Sequence, residues 1–200
     1  VTLDPGTLIR AANLKRYLTL RQKARFLFIA EGLGYQGGHF SGMAMTSERI
    51  LLGHHPNVRP HVVLGEDYPC QRTSNPESPL LNRMQREKGF KTDGDRHVGE
   101  LAAQELAPFQ TILWNIYPFH PYKPSGILTN RTPTPKELDE GIDFARMILA
   151  LVPGMRVIAI GRKSADTLQK YGVACDAVPH PSMGGATRFR NAVDALFESE

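Results

Sequence analysis

RFLFIAEGLGYQGGHFSGM, residues 25–43, joins a short apolar run to a loop with five glycines between positions 32 and 42. The run RFLFIA (25–30) is brief and aromatic or β-branched, as a strand buried on both faces requires. Three other runs have the same character: TILWNI (111–116), RVIAI (156–160) and ACDAV (174–178). HVVL (61–64) is a weaker fifth candidate, a strand or a loop segment.

Helical patterns fall between the strands. ERILLGH (48–54) is short, and HVGELAAQEL (97–106) is amphipathic. TPKELDEGIDFARMILALV (134–152) is the clearest: Thr134 caps it, Pro135 suits its first turn, Glu137 completes a capping box, and Pro153-Gly154 stops it. RKSADTLQKYG (162–172) and ATRFRNAVDALFES (186–199) follow. Strand alternating with helix predicts an α/β fold of three layers, α/β/α, around a central, mostly parallel four-stranded sheet. In such sheets ligands bind beyond the carboxyl ends of the strands. The loops there are 31–46, 116–133, 161–164 and 179–187, and three of them are rich in Gly, Pro, His, Asn or aromatic residues.

The 200 residues suit a single domain, residues 1–200, with enough chain for a core. An apolar content of 41% and a charged content of 22% are globular values. No run of 18 apolar residues exists, so no membrane span is expected. VTLDPGTLIR (1–10) has no apolar signal-peptide core. Cys70 and Cys175 make neither a disulfide framework nor a metal spacing, so reduced thiols in a cytoplasmic protein are expected. The net charge is +4 and the pI about 9.2. Residues 1–24 form a basic helical segment: Arg10, Lys15, Arg16, Arg21 and Lys23 face one acid, Asp4. It reads as a solvated helix face or as a positive rim for a polyanion.

Gly32, Gly34 and Gly37 match the dinucleotide pattern G-x-G-x-x-G, but the loop continues through Gly38, His39, Phe40, Ser41 and Gly42 where a helix must begin. No Gly-Lys-Ser/Thr follows for a P-loop. His54-His55 lacks further ligands for a metal. In WNIYPFHPYKPSG (114–126), Asn115 ends a buried strand, and its amide offers the donor and acceptor that match an amide edge such as that of uracil. Tyr117, Phe119 and Tyr122 supply aromatic planes or loop packing. In VPHPSMGGATRFR (178–190), His180 is held between two prolines, where an imidazole stabilises a developing oxyanion. Ser182 offers a hydroxyl and an amide to a phosphate, Gly184-Gly185 permits close approach, and Arg188 and Arg190 are near.

Three motifs in order, AEGLGYQGGHFSGMAMTSE, WNIYPFHPYKP…NRTPTPKEL and HPSMGG, resemble those of the uracil-DNA glycosylase superfamily over roughly residues 25–195. The resemblance implies that fold, no cofactor, DNA as partner, a monomer, and hydrolytic excision of uracil or a related deaminated base from DNA. It implies catalytic roles for Asn115, which reads the base, and His180, which holds charge on its O2. Gly32, Leu33, Gly34, Tyr35, Phe40 and Met45 would line the base, and Ser182, Gly184, Gly185 and Arg188 would hold the DNA backbone. The wedge residue after the His-Pro-Ser motif would be Met183, or nothing at all. Gly32 stands where the best-known members have a water-activating Asp, leaving Glu31 and Gln36 as the nearest water-positioning candidates. Gly34 stands at the thymine-excluding position, and Met45 aligns with the stacking Phe, for which Phe40 or Tyr35 is the substitute. The cluster cysteines of iron–sulfur members are absent. The alternative is a protein of the same fold that binds a nucleobase or nucleic acid without catalysis.

Overall fold

The computed structural model describes residues 4–95, 109–181 and 185–198. Four strands form one parallel sheet: β1 Phe26–Gly32, β2 Thr111–Tyr117, β3 Arg156–Ile160 and β4 Asp176–Val178, in the order β2-β1-β3-β4. The helices described are α1 Pro5–Leu20, α2 Glu48–Leu51, α3 His61–Leu64, α4 Arg83–Lys88, α5 Pro135–Leu151, α6 Arg162–Lys170 and α7 Ala186–Glu198.

The central strand β1 has no polar face because neither of its faces meets water. Phe26, Leu27, Phe28 and Ile29 are all fully buried. Leu27 and Ile29, with Ile112, Trp114, Val157 and Ala159, pack against Tyr17 of α1, Ile142, Ala145 and Ile148 of α5, and Leu168 of α6. Phe26 and Phe28, with Leu113, Ile158, Ile160 and Val178, pack against Phe189 and Val193 of α7. The sheet is therefore the middle of three layers, as the alternation of strand and helix predicts.

The capping box of α5 is present: the Thr134 side chain accepts from the Glu137 amide, and the Glu137 carboxylate accepts from the Thr134 amide. The helix lies so close to β2 that a Cβ on Gly141 would come 2.3 Å from the Ile116 carbonyl oxygen.

Three expectations change. HVVL is the helix α3, not a strand or a loop. Its turn closes through Val63 N–H to Pro60 O and Leu64 N–H to Pro60 O. Its carbonyls are taken by distant arginines, Leu64 O by Arg16 and Val63 O by Arg21. The basic segment is thus not solvated throughout. Arg21 is buried, lies 3.7 Å over the Tyr17 ring, and donates to Tyr17, Val63 and Thr111 carbonyls. Lys15 and Lys23 remain exposed. Strand β4 is shorter than 174–178 and begins at Asp176, whose carboxylate takes Arg156 at 2.7 Å. The helix expected over 97–106 lies outside the described residues. Among the described residues, no helix is long and apolar enough to cross a membrane.

Candidate functional site

The chain leaves β1 toward β2 on one side and returns to β3 on the other, so the topological switch point falls between β1 and β3. The loops that build the candidate site leave the sheet at this carboxyl end. Gly161, immediately after β3, has φ +85° and donates its amide to Val178 O. His180 rests on this glycine: a Cβ there would come 3.3 Å from His180 Cβ. The two-residue step from Val178 through Pro179 thus sets the imidazole over the switch point.

The NRTPTP segment, residues 130–135, fastens the loop after β1. Asn130 Oδ1 accepts from the Tyr35 amide at 3.0 Å. Arg131 donates to both carboxylate oxygens of Glu137, each at 2.6 Å. The Arg131 guanidinium, with the Thr134 amide, holds the Glu137 carboxyl down to about 2 despite its partial desolvation. Pro133 covers Gly32, and Thr134 caps α5.

Two cavities open here. The outer one, about 620 Å³, is lined by Glu31, Gly32, Gly34, Lys123, Asn130, Arg131 and His180 among others. Glu31 takes Lys163 of α6 at 3.3 Å. Burial lowers the His180 pKa from its ordinary value, against a raising influence of Glu31, and so favours the neutral imidazole. The inner cavity, about 170 Å³, has apolar walls from Leu14, Trp114, Phe119 and Phe144. Asn115 lines it. This residue sits within β2 opposite Ala30, is 3% exposed, and its Oδ1 has no hydrogen-bond partner among the described residues. Trp114, which also lines this cavity, has an Nε1 with no hydrogen-bond partner among the described residues. A buried unsatisfied group costs roughly 1–3 kcal/mol. A ligand bearing both a donor and an acceptor would remove that cost. Leu33 lines both cavities.

The structure therefore brings Asn115 and His180 to neighbouring chambers with one shared wall. Gly32, Leu33 and Gly34 stand with them. Tyr35, Phe40 and Met45 line neither chamber. The Phe40 ring is stacked on Phe90 at 4.4 Å and 2°, and Tyr35 meets the same Phe90 edge-on. Met45, at φ +53°, packs on the core facing α7. Gln36 is half-buried in the turn Tyr35–His39, which kinks at Gly37. Gly185 is buried at the entry to α7, accepting from Phe189 N–H, and Arg188 is exposed on that helix; neither lines a chamber. Ser182, Met183 and Gly184 lie outside the described residues.

Several glycines of the opening loop make room for the protein itself. A Cβ on Gly32 would lie 2.6 Å from Pro133 Cγ, one on Gly38 2.2 Å from Leu33 Cδ1, and one on Gly42, at φ +82°, 2.4 Å from Arg10 O. Two buried acids give no signal in the sequence. Glu48 takes the amides of Thr73 and Ser74, and Asp95 takes the amide and hydroxyl of Ser47. Burial pushes the Asp95 carboxyl up to about 6. Both tie down the long excursion between β1 and β2.

No protein-family model matches this chain, and no curated protein is significantly similar to it.

Proposed function

We propose that this protein is a DNA glycosylase that hydrolyses the N-glycosidic bond of uracil or a related deaminated base. One observation carries the reading: the unpartnered Oδ1 of Asn115, a buried residue lining an apolar chamber beside the chamber that His180 lines. A chamber of about 170 Å³ is smaller than a drug-sized pocket and suits one flat ring. The order of the three loop motifs supports the same reading.

A base inside a duplex is out of reach, so it rotates out of the stack before it enters. Its amide edge pairs with Asn115, and the sugar stays in the outer chamber with Lys123. The bond from C1′ to the base nitrogen breaks, and its electron pair leaves with the base. Neutral His180 donates to the base oxygen that takes up this charge. Water adds its oxygen to C1′, and the proton it loses neutralises the departing base anion. Glu31 is the carboxylate among the residues that line the outer chamber. Pro133 occupies the space beside Gly32, so an acid on Gly32 has no room unless the proline moves.

A second reading, base binding without catalysis, is favoured by one observation: Glu31 is ion-paired with Lys163. Single- and double-stranded oligonucleotides carrying uracil, hypoxanthine or xanthine separate the two readings. Alkali-labile breaks at a modified base support the glycosylase. Retained binding with no breaks for any base supports the binding protein.

A further inference from the structure

We infer that Leu33 is the gate that sets which bases are accepted. This inference rests on the proposed base site. Asn115 lines only the inner chamber and His180 only the outer one, so a nucleotide touching both must pass between them. Leu33 is the residue that lines both. It is half-buried, and its Cδ1 fills the space that a side chain on Gly38 would need. Gly38 thus leaves Leu33 room to stand at the opening. The Gly34 position carries no side chain to share the task; Asn130 lies 3.6 Å from where its Cβ would be.

The consequence is a size filter. A single-ring base fits the inner chamber with its sugar outside and the glycosidic bond beside Leu33. A two-ring base needs the space that the isobutyl group takes. Shortening Leu33 joins the chambers and admits purines; enlarging it shuts out pyrimidines.

The test is calorimetric binding of free uracil and free hypoxanthine to the full chain and to Leu33→Ala, Leu33→Val and Leu33→Phe. Thermal melting checks that each variant folds, and the valine variant serves if the alanine one does not fold. The wild type is expected to prefer uracil. Leu33→Ala, or more weakly Leu33→Val, is expected to shift the ratio of the two affinities toward hypoxanthine by about tenfold or more, the scale of a few methylenes in a pocket. Leu33→Phe is expected to weaken uracil by a similar factor. An unchanged ratio in the shortened variants, with uracil still bound, overturns the gate and leaves the base site standing. Failure of every folded variant, wild type included, to bind either base overturns the base site and the gate together.

Discussion

Pro133 occupies the space that a side chain on Gly32 would need, with its Cγ 2.6 Å from the ideal Cβ position. Gly32→Asp alone should therefore destabilise the fold, by about 1–3 kcal/mol as for other overpacked sites. Combining it with Pro133→Gly should recover most of the loss. Thermal denaturation of the single and double variants checks this. Additive losses in the pair would show that the two positions do not compete for space.

Asn115 is held against its own stability. Asn115→Leu removes an unsatisfied buried oxygen and gives a mostly apolar chamber an apolar side chain instead, so stability should be unchanged or rise. Base release and base binding should be lost. A melting temperature lowered by several degrees would mean that the amide is structural.

His180 should titrate below 6.5, because burial disfavours the imidazolium. Glu31 pulls the other way, so Glu31→Gln should move the titration lower still. Base release by the wild type should fall as pH drops and His180 gains its proton. Imidazole NMR shifts across pH 4–8 report both variants. A pKa above 6.5 in the wild type would contradict the neutral-donor role.

The Arg131–Glu137 pair should appear in the pH dependence of stability. The Glu137 carboxyl is held near 2 in the folded chain, against 4.5 ordinarily. A depressed folded-state value means that the contribution is complete above about 4.5 and lost as pH falls toward 2. Glu137→Gln should therefore be less stable at pH 7 and approach the wild type near pH 2. Denaturant midpoints across this range show whether the gap closes.

Gly141→Ala should be among the most damaging small substitutions. Its methyl would meet the Ile116 carbonyl at 2.3 Å, and a strand backbone cannot retreat. A loss below about 0.5 kcal/mol would show that α5 can lift from the sheet.

The strands were legible because a strand buried on both faces must be apolar throughout, and Phe26–Ile29 announce it. The start of α5 was legible because Thr134 and Glu137 satisfy each other within four residues. The same signal, Asn82 with Gln85, marks α4, and the sequence reading passes over it. HVVL was ambiguous because a four-residue apolar run has no period, and the arginines that take its carbonyls stand more than 40 residues away. The glycine loop was legible as a place of close approach but not as to what approaches. Pro133 reaches Gly32 from the loop after β2, and the Arg10 carbonyl reaches Gly42 from α1. For the same reason the sequence placed Asn115 and His180 at one rim but gave no sign of Leu33 between their chambers.

The most direct measurement is single-turnover release of uracil from an oligonucleotide by the wild type, Asn115→Ala, His180→Ala and the double variant. Each single change should slow release by about 10²–10³-fold, the scale of losing one donor to a developing oxyanion. Because both groups act on one base, the double variant should be little slower than the slower single one. Release by the wild type with unchanged rates in both single variants would contradict the account.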